Sequence, residues 1–233
     1  MRMTYCVSDI HGEYELFLRL LNKINFSDSD RLIVCGDIID KGKDSVKLAK
    51  YIFGMPNAEC IAGNHEYEFL KLYWSLMKQS PNDFDALLKR LQNYFPYDGN
   101  LLDWDTVDAF DALPYYIKDE NFICVHAGVP LDSESKLLSV EKASREQLVY
   151  DRVFKDESVA PIGGKCVLFG HTPTSYICGE SRILAYKREA AAFGGRNIKD
   201  YYKIHLDTGT WLDGVLGCFR IDDCRAFYVN KES

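Results

Sequence analysis

Four of the five histidines in this 233-residue chain, His11, His65, His126 and His171, come just after short apolar runs, in company with glycine, aspartate or asparagine. Asp9, Asp37 and Asn64 are placed in the same way. A lone histidine after a strand is usually a hydrogen-bonded core or surface residue. Seven nitrogen and oxygen donors in equivalent places are hard to ascribe to packing. Imidazoles mixed with carboxylate and amide oxygens, with no thiolate, suit manganese, iron or zinc better than a structural cysteine–zinc site. The set is too large for one ion and about right for two, roughly 3.5–4 Å apart and sharing a carboxylate.

The elements that must position these donors follow from the hydrophobic pattern. Tyr5-Cys6-Val7 reads as a strand ending in Ser8-Asp9-Ile10-His11-Gly12, and Leu16, Phe17, Leu20, Leu21 and Ile24 then recur at one-face helical spacing. Arg31 to Cys35 is uniformly apolar after its first residue, as a strand buried on both faces should be, and leads into Gly36-Asp37-Ile38-Ile39-Asp40-Lys41-Gly42 and a helix around Val46 to Phe53. Cys60-Ile61-Ala62 ends a third strand, broken by Gly63, and Asn64-His65-Glu66 open a helical run from Tyr67 to Met77. Strand, polar loop and helix repeat three times, which predicts a largely parallel sheet with its ligands at the carboxyl ends of the strands.

Residues 67 to 112 change character, with Leu, Trp, Tyr and Phe at helical spacing, and read as a helical insertion. Tyr115 to Lys118 and Phe122 to Val125 read as paired strands, the second ending in His126-Ala127-Gly128. Cys166 to Phe169 is another buried strand, ending in Gly170-His171-Thr172-Pro173, and strands follow at Arg182 to Tyr186, Tyr202 to Leu206, Val215 to Ile221 and Ala226 to Val229. Glu189 to Asp200 reads as a mobile loop. Cys6, Cys35, Cys60, Cys124 and Cys166 fall inside apolar runs and no CxxC pair occurs, so reduced core cysteines in a cytoplasmic protein are expected; Cys218 and Cys224 could be neighbours across a hairpin, but nothing requires it. A formal charge of −7 argues against a general nucleic-acid binder, and no run approaches the ~20 apolar residues of a membrane span.

The segments Asp9-Ile10-His11-Gly12, Gly36 to Gly42, Gly63-Asn64-His65-Glu66, His126-Ala127-Gly128 and Gly170-His171-Thr172-Pro173 resemble the motifs of calcineurin-type metallophosphoesterases, in family order. More narrowly they are similar to the phosphoprotein-phosphatase branch in its small bacterial and phage form, which includes symmetrical diadenosine tetraphosphate hydrolases. Asp207-Thr208-Gly209 is similar to the family's closing segment. The resemblance implies an α/β fold of two mixed sheets packed as a sandwich between helices, in one domain over residues 1–233. By position it implies that Asp9 and His11 hold a first metal, that Asp37 bridges both, and that Asn64, His126 and His171 hold the second. The metals implied are two divalent ions, manganese first, with iron or zinc as alternatives. A bridging hydroxide would attack phosphorus in line, with His65 as general acid and Asp40 orienting and charging its ring.

Phosphate oxygens are expected to fall to Asn64, to Arg152 in Tyr150-Asp151-Arg152, and to Lys41. Lys41 departs from the family, which usually has arginine after the aspartate; a lysine supplies charge without the bidentate fork. His205 lies inside a strand and is expected to be structural or to support the site from behind. The expected substrate is phosphoserine or phosphothreonine on proteins, with dinucleoside polyphosphates or another small phosphoanhydride or diester as the alternative. Outside catalysis, the rival is a metal-binding regulatory module that has lost activity.

Overall fold

In the computed structural model, which describes residues 2–78, 104–161, 164–188 and 196–231, the first three strand–loop–helix units lie side by side. β1 (Thr4–Val7), β2 (Arg31–Val34) and β3 (Ala58–Cys60) pair in parallel, and α1 (Tyr14–Lys23), α2 (Ser45–Phe53) and α3 (Asn64–Lys78) follow them in turn. β9 (Val215–Arg220) joins β1 antiparallel, and β10 (Arg225–Asn230) joins β9, for the order β10-β9-β1-β2-β3. The second sheet has the order β4-β5-β6-β8-β7, from β4 (Tyr116–Lys118), β5 (Phe122–Val125), β6 (Cys166–Phe169), β7 (Leu184–Lys187) and β8 (Tyr201–His205). β5, β6 and β8 are parallel, with antiparallel β4 and β7 at the edges. Both sheets are mixed, as expected.

Successive strand residues point to opposite faces, and the core divides accordingly. Cys6, Ile33 and Cys35 of the first sheet meet Cys124, Cys166, Leu168 and Ile204 of the second in an inter-sheet layer. Their neighbours Tyr5, Val7, Leu32 and Val34 face outward onto Leu16, Phe17, Leu48 and Ile52 of the first two helices. Ile123, Val125, Val167 and Phe169 face outward on the other side, against Leu148 of helix α5 (Arg145–Tyr150) and Phe154. The result is four layers, helix, sheet, sheet, helix. Part of the expected insertion is α3 and α4 (Trp104–Asp111), whose Phe69, Leu70, Val107 and Phe110 join the first helical layer; residues 79–103 of it lie outside the described residues. So does 189–195 of the expected loop. All eight cysteines are free thiols, and no described helix is long and apolar enough to cross a membrane.

Candidate metal centre

The carboxyl ends of β1, β2, β5 and β6 meet along one edge of the sandwich, so donors from both sheets converge. The chain turns sharply there. Asp9, His11, Asp37, Asp40, Lys41 and His171 all have φ between 51° and 73°, six of the nine non-glycine residues in the left-handed region among those described. Such backbone costs on the order of 1–3 kcal/mol per residue and clusters where function requires it. The β2 and β3 loops also touch backbone to backbone. A Cβ on Gly36 (φ 86°) would sit 2.6 Å from the Gly63 Cα, and a Cβ on Gly63 would overlap the Asp37 carboxylate. Only glycine allows that approach.

Glu66 holds these loops together. It is fully buried, and its carboxylate accepts N–H bonds from Asp37 and Gly63 (both 2.9 Å), Ile38 (2.8 Å) and Ile39 (3.1 Å). α3 thereby starts directly under the site, with Asn64 and His65 in its first turn. The His65 N–H donates to Asp37 Oδ1 (3.1 Å).

Asp37 is the centre of the cluster. Its Oδ2 lies 3.4 Å from His126 Nε2, 3.7 Å from His11 Nε2 and 3.8 Å from His65 Nε2. Two groups of ligand atoms share it: His11, Asp37 and His65, and Asp37, His126 and His171. Asn64 Oδ1 completes the second, 2.8 Å from His171 Nδ1 and 3.0 Å from His126 Nε2. Asp9 adjoins the cluster but is engaged by protein groups: its Oδ2 accepts from the Ser8 hydroxyl (2.5 Å) and from the His171 N–H (3.0 Å). His65, expected as the acid, stands with the first group.

The donor chemistry fits a pair of cations. Nδ1 of His11 donates to the Ile39 carbonyl (3.1 Å) and Nδ1 of His126 to the Cys35 carbonyl (2.9 Å). A carbonyl only accepts, so each ring, when neutral, turns an Nε2 lone pair toward the Asp37 carboxylate. Lone pairs and carboxylate facing one another repel unless positive charge lies between them. The titration behaviour has the same cause. Burial pulls His126 down, but Asp37 and Asp9 outweigh it and push the ring up to about 10. Burial raises Asp37 as well, yet the surrounding imidazoles hold it well below the usual carboxylate range. Burial lifts Asp9 to about 7, and lowers His11 to about 4 and His171 to about 3. His171 Nε2 is buried without a hydrogen-bond partner.

Around the rim, Asp40 Oδ2 is 2.7 Å from His65 Nδ1. Burial alone would lower His65, but Asp37 and Asp40 together raise it. Arg152 donates from Nη1 to Thr172 Oγ1 (3.2 Å), next to His171. Lys41 Nζ stands 3.8 Å from Asp40 Oδ2 and 5.4 Å from the centroid of Trp211. All ten expected site residues are therefore brought to one place. His205 stacks on Phe169, centroids 4.4 Å apart, in the layer behind. Two neighbours of these residues carried little signal in the sequence. Asp207, flagged only as part of a segment, is buried and pushed well above the usual range, by burial first and then by Asp9. Trp211 sits in a turn with no pattern to single it out.

Comparison with known proteins adds three findings. A family model for calcineurin-like phosphoesterase matches residues 3–205. The symmetrical bis(5'-nucleosyl)-tetraphosphatase of Buchnera aphidicola subsp. Acyrthosiphon pisum (strain 5A) is 31% identical over 129 residues, covering 54% of this chain and 44% of that protein. The chain thus spans about half the length of the curated relatives it matches. A crystal structure of a candidate diadenosine tetraphosphatase has a TM-score of 0.70 at 20% identity, over 99% of this chain and 94% of that one. A protein serine/threonine phosphatase of Saccharomyces cerevisiae shares the fold with a TM-score of 0.55 at 14% identity, over 99% and 80%.

Proposed function

Because this chain belongs to the calcineurin-like phosphoesterases, metal-dependent hydrolases with a dinuclear divalent centre, we propose that its substrate is a dinucleoside polyphosphate of the diadenosine tetraphosphate type. The observation that carries the reading is the shared Asp37 with three imidazole Nε2 atoms within 3.8 Å, in a chain whose curated relatives are symmetrical tetraphosphatases. The sequence alone put phosphorylated proteins first; the relatives move the weight to the alternative.

In this reading Asp9, His11 and Asp37 hold one ion, and Asp37, Asn64, His126 and His171 the other, with the metal's identity open between manganese, iron and zinc. When bound, such ions would supply Lewis acidity toward phosphate oxygens and would lower the pKa of coordinated water. The chain's own residues do the rest. Asn64 and Arg152 fix phosphate oxygens, the guanidinium by its fork. Lys41 adds a point charge where negative charge accumulates. His65, charged by Asp40, gives its proton from Nε2 to the oxygen that leaves phosphorus. Water adds to one phosphorus, the central P–O bond breaks, and two nucleoside diphosphates result.

The test is a paired kcat/KM on the metal-loaded protein, for diadenosine tetraphosphate and for a phosphoserine peptide, with His65→Asn as the blank. A preference of a hundredfold or more for the dinucleotide is expected in the wild type, with turnover of both substrates lowered in the variant. The reverse preference would return the enzyme to protein dephosphorylation.

A further inference from the structure

Four of the seven exposed large apolar side chains among the described residues follow site segments in the sequence. Val153, Tyr176, Trp211 and Leu212 are all exposed, and each lies within a few residues of the site. Val153 follows Arg152, and Tyr176 lies on the short α6 (Ser175–Cys178) after Thr172. Trp211 is on the turn between Asp207 and β9 and is 46% exposed, while its neighbour Thr210 is buried. This turn is held firmly. The Asp213 N–H donates to the Gly209 carbonyl (2.7 Å), and Asp213 Oδ2 accepts from Ser175 (2.6 Å) and Ser181 (2.8 Å). The backbone that carries the indole is thus fixed by contacts of other residues. Lys41 spans the space between it and Asp40, whose partner is His65. A flat π-surface lies one lysine away from the phosphate-handling groups.

We infer that Trp211 is a stacking platform for a nucleobase of the substrate, with Lys41 on the phosphate chain between base and metal centre. A nucleobase offers the matching flat π-face, and base–aromatic stacking is sequence-tolerant. A phosphoserine side chain carries no ring to place there. The inference deepens the dinucleoside polyphosphate reading and rests on it for the identity of the substrate, but its test does not require turnover of that substrate. With p-nitrophenyl phosphate as reporter, ADP and pyrophosphate are compared as competitive inhibitors of the metal-loaded wild type, Trp211→Ala and Trp211→Phe. ADP is expected to inhibit wild type roughly tenfold better than pyrophosphate, an advantage that Trp211→Ala removes and Trp211→Phe largely keeps. Equal inhibition by the two in wild type, or an ADP advantage that survives Trp211→Ala, would overturn the stacking role. Hydrolysis of diadenosine tetraphosphate by wild type decides the substrate reading separately.

Discussion

His65 can serve as proton donor only while its ring is charged, and two carboxylates shift its pKa upward, toward the charged form, against the pull of burial. The sign of a substitution follows. Asp40→Asn removes the partner 2.7 Å from Nδ1, so the folded pKa of His65 falls and the proton is lost at lower pH. The alkaline limb of the kcat/KM–pH profile is expected to move toward lower pH in this variant. A limb that stays where it was would show that Asp40 does not charge the ring. The leaving group sets how much the acid matters. A phosphate oxygen leaves as a stable anion and an alkoxide does not, so His65→Asn is expected to cost an alkyl phosphomonoester about 10²–10⁴-fold and the anhydride less. Equal losses on both substrates would argue against proton donation by His65.

At the scale of the element, each donor loop is stabilised from outside its own strand. Gly63→Ala would drive a Cβ into the Asp37 carboxylate and within 2.5 Å of its backbone nitrogen. It is expected to destabilise by about 1–3 kcal/mol and to weaken metal binding, measured by urea unfolding and by metal titration. The segment after Arg152 has its own clamp. Lys203, in the middle of β8 and fully buried, donates to the carbonyls of Phe154 (3.0 Å), Asp156 (2.5 Å) and Val159 (2.7 Å). Lys203→Met leaves three carbonyls without that donor and is expected to cost at least about 2 kcal/mol, with faster proteolysis between 152 and 159. Unchanged stability would mean that water or a rearranged loop replaces the ammonium.

For the whole molecule, the centre joins two sheets that are otherwise held by an apolar layer of strand residues such as Cys6, Ile33, Cys124 and Leu168. Cations that bind there bind only the folded chain and shift its unfolding by mass action. Loading the chelator-stripped protein with manganese or zinc is expected to raise Tm, and Asp37→Asn to abolish most of the rise. A shift that persists in Asp37→Asn would place the stabilising ion elsewhere. The net charge of −7 does not conflict with a polyanionic substrate, because the ions, Arg152 and Lys41 concentrate positive charge locally.

The candidate donors, their order, and most of the strands and helices that present them are legible in the chain alone. Those features are local: imidazole and carboxylate after an apolar run are readable from Asp9-Ile10-His11 or Gly63-Asn64-His65 alone, and so is the helical spacing of Leu16, Leu20 and Ile24. The resemblance supplied the sandwich in advance, because its motifs are ordered along nearly the whole chain. The tertiary structure sets Asp37 against three imidazoles, by packing two sheets face to face with their strand ends along one edge. It alone brought Trp211 to Lys41, 170 positions earlier in the chain, and Lys203 to the segment behind Arg152. Those contacts arise from long-range packing, and no periodicity or motif in either partner encodes them.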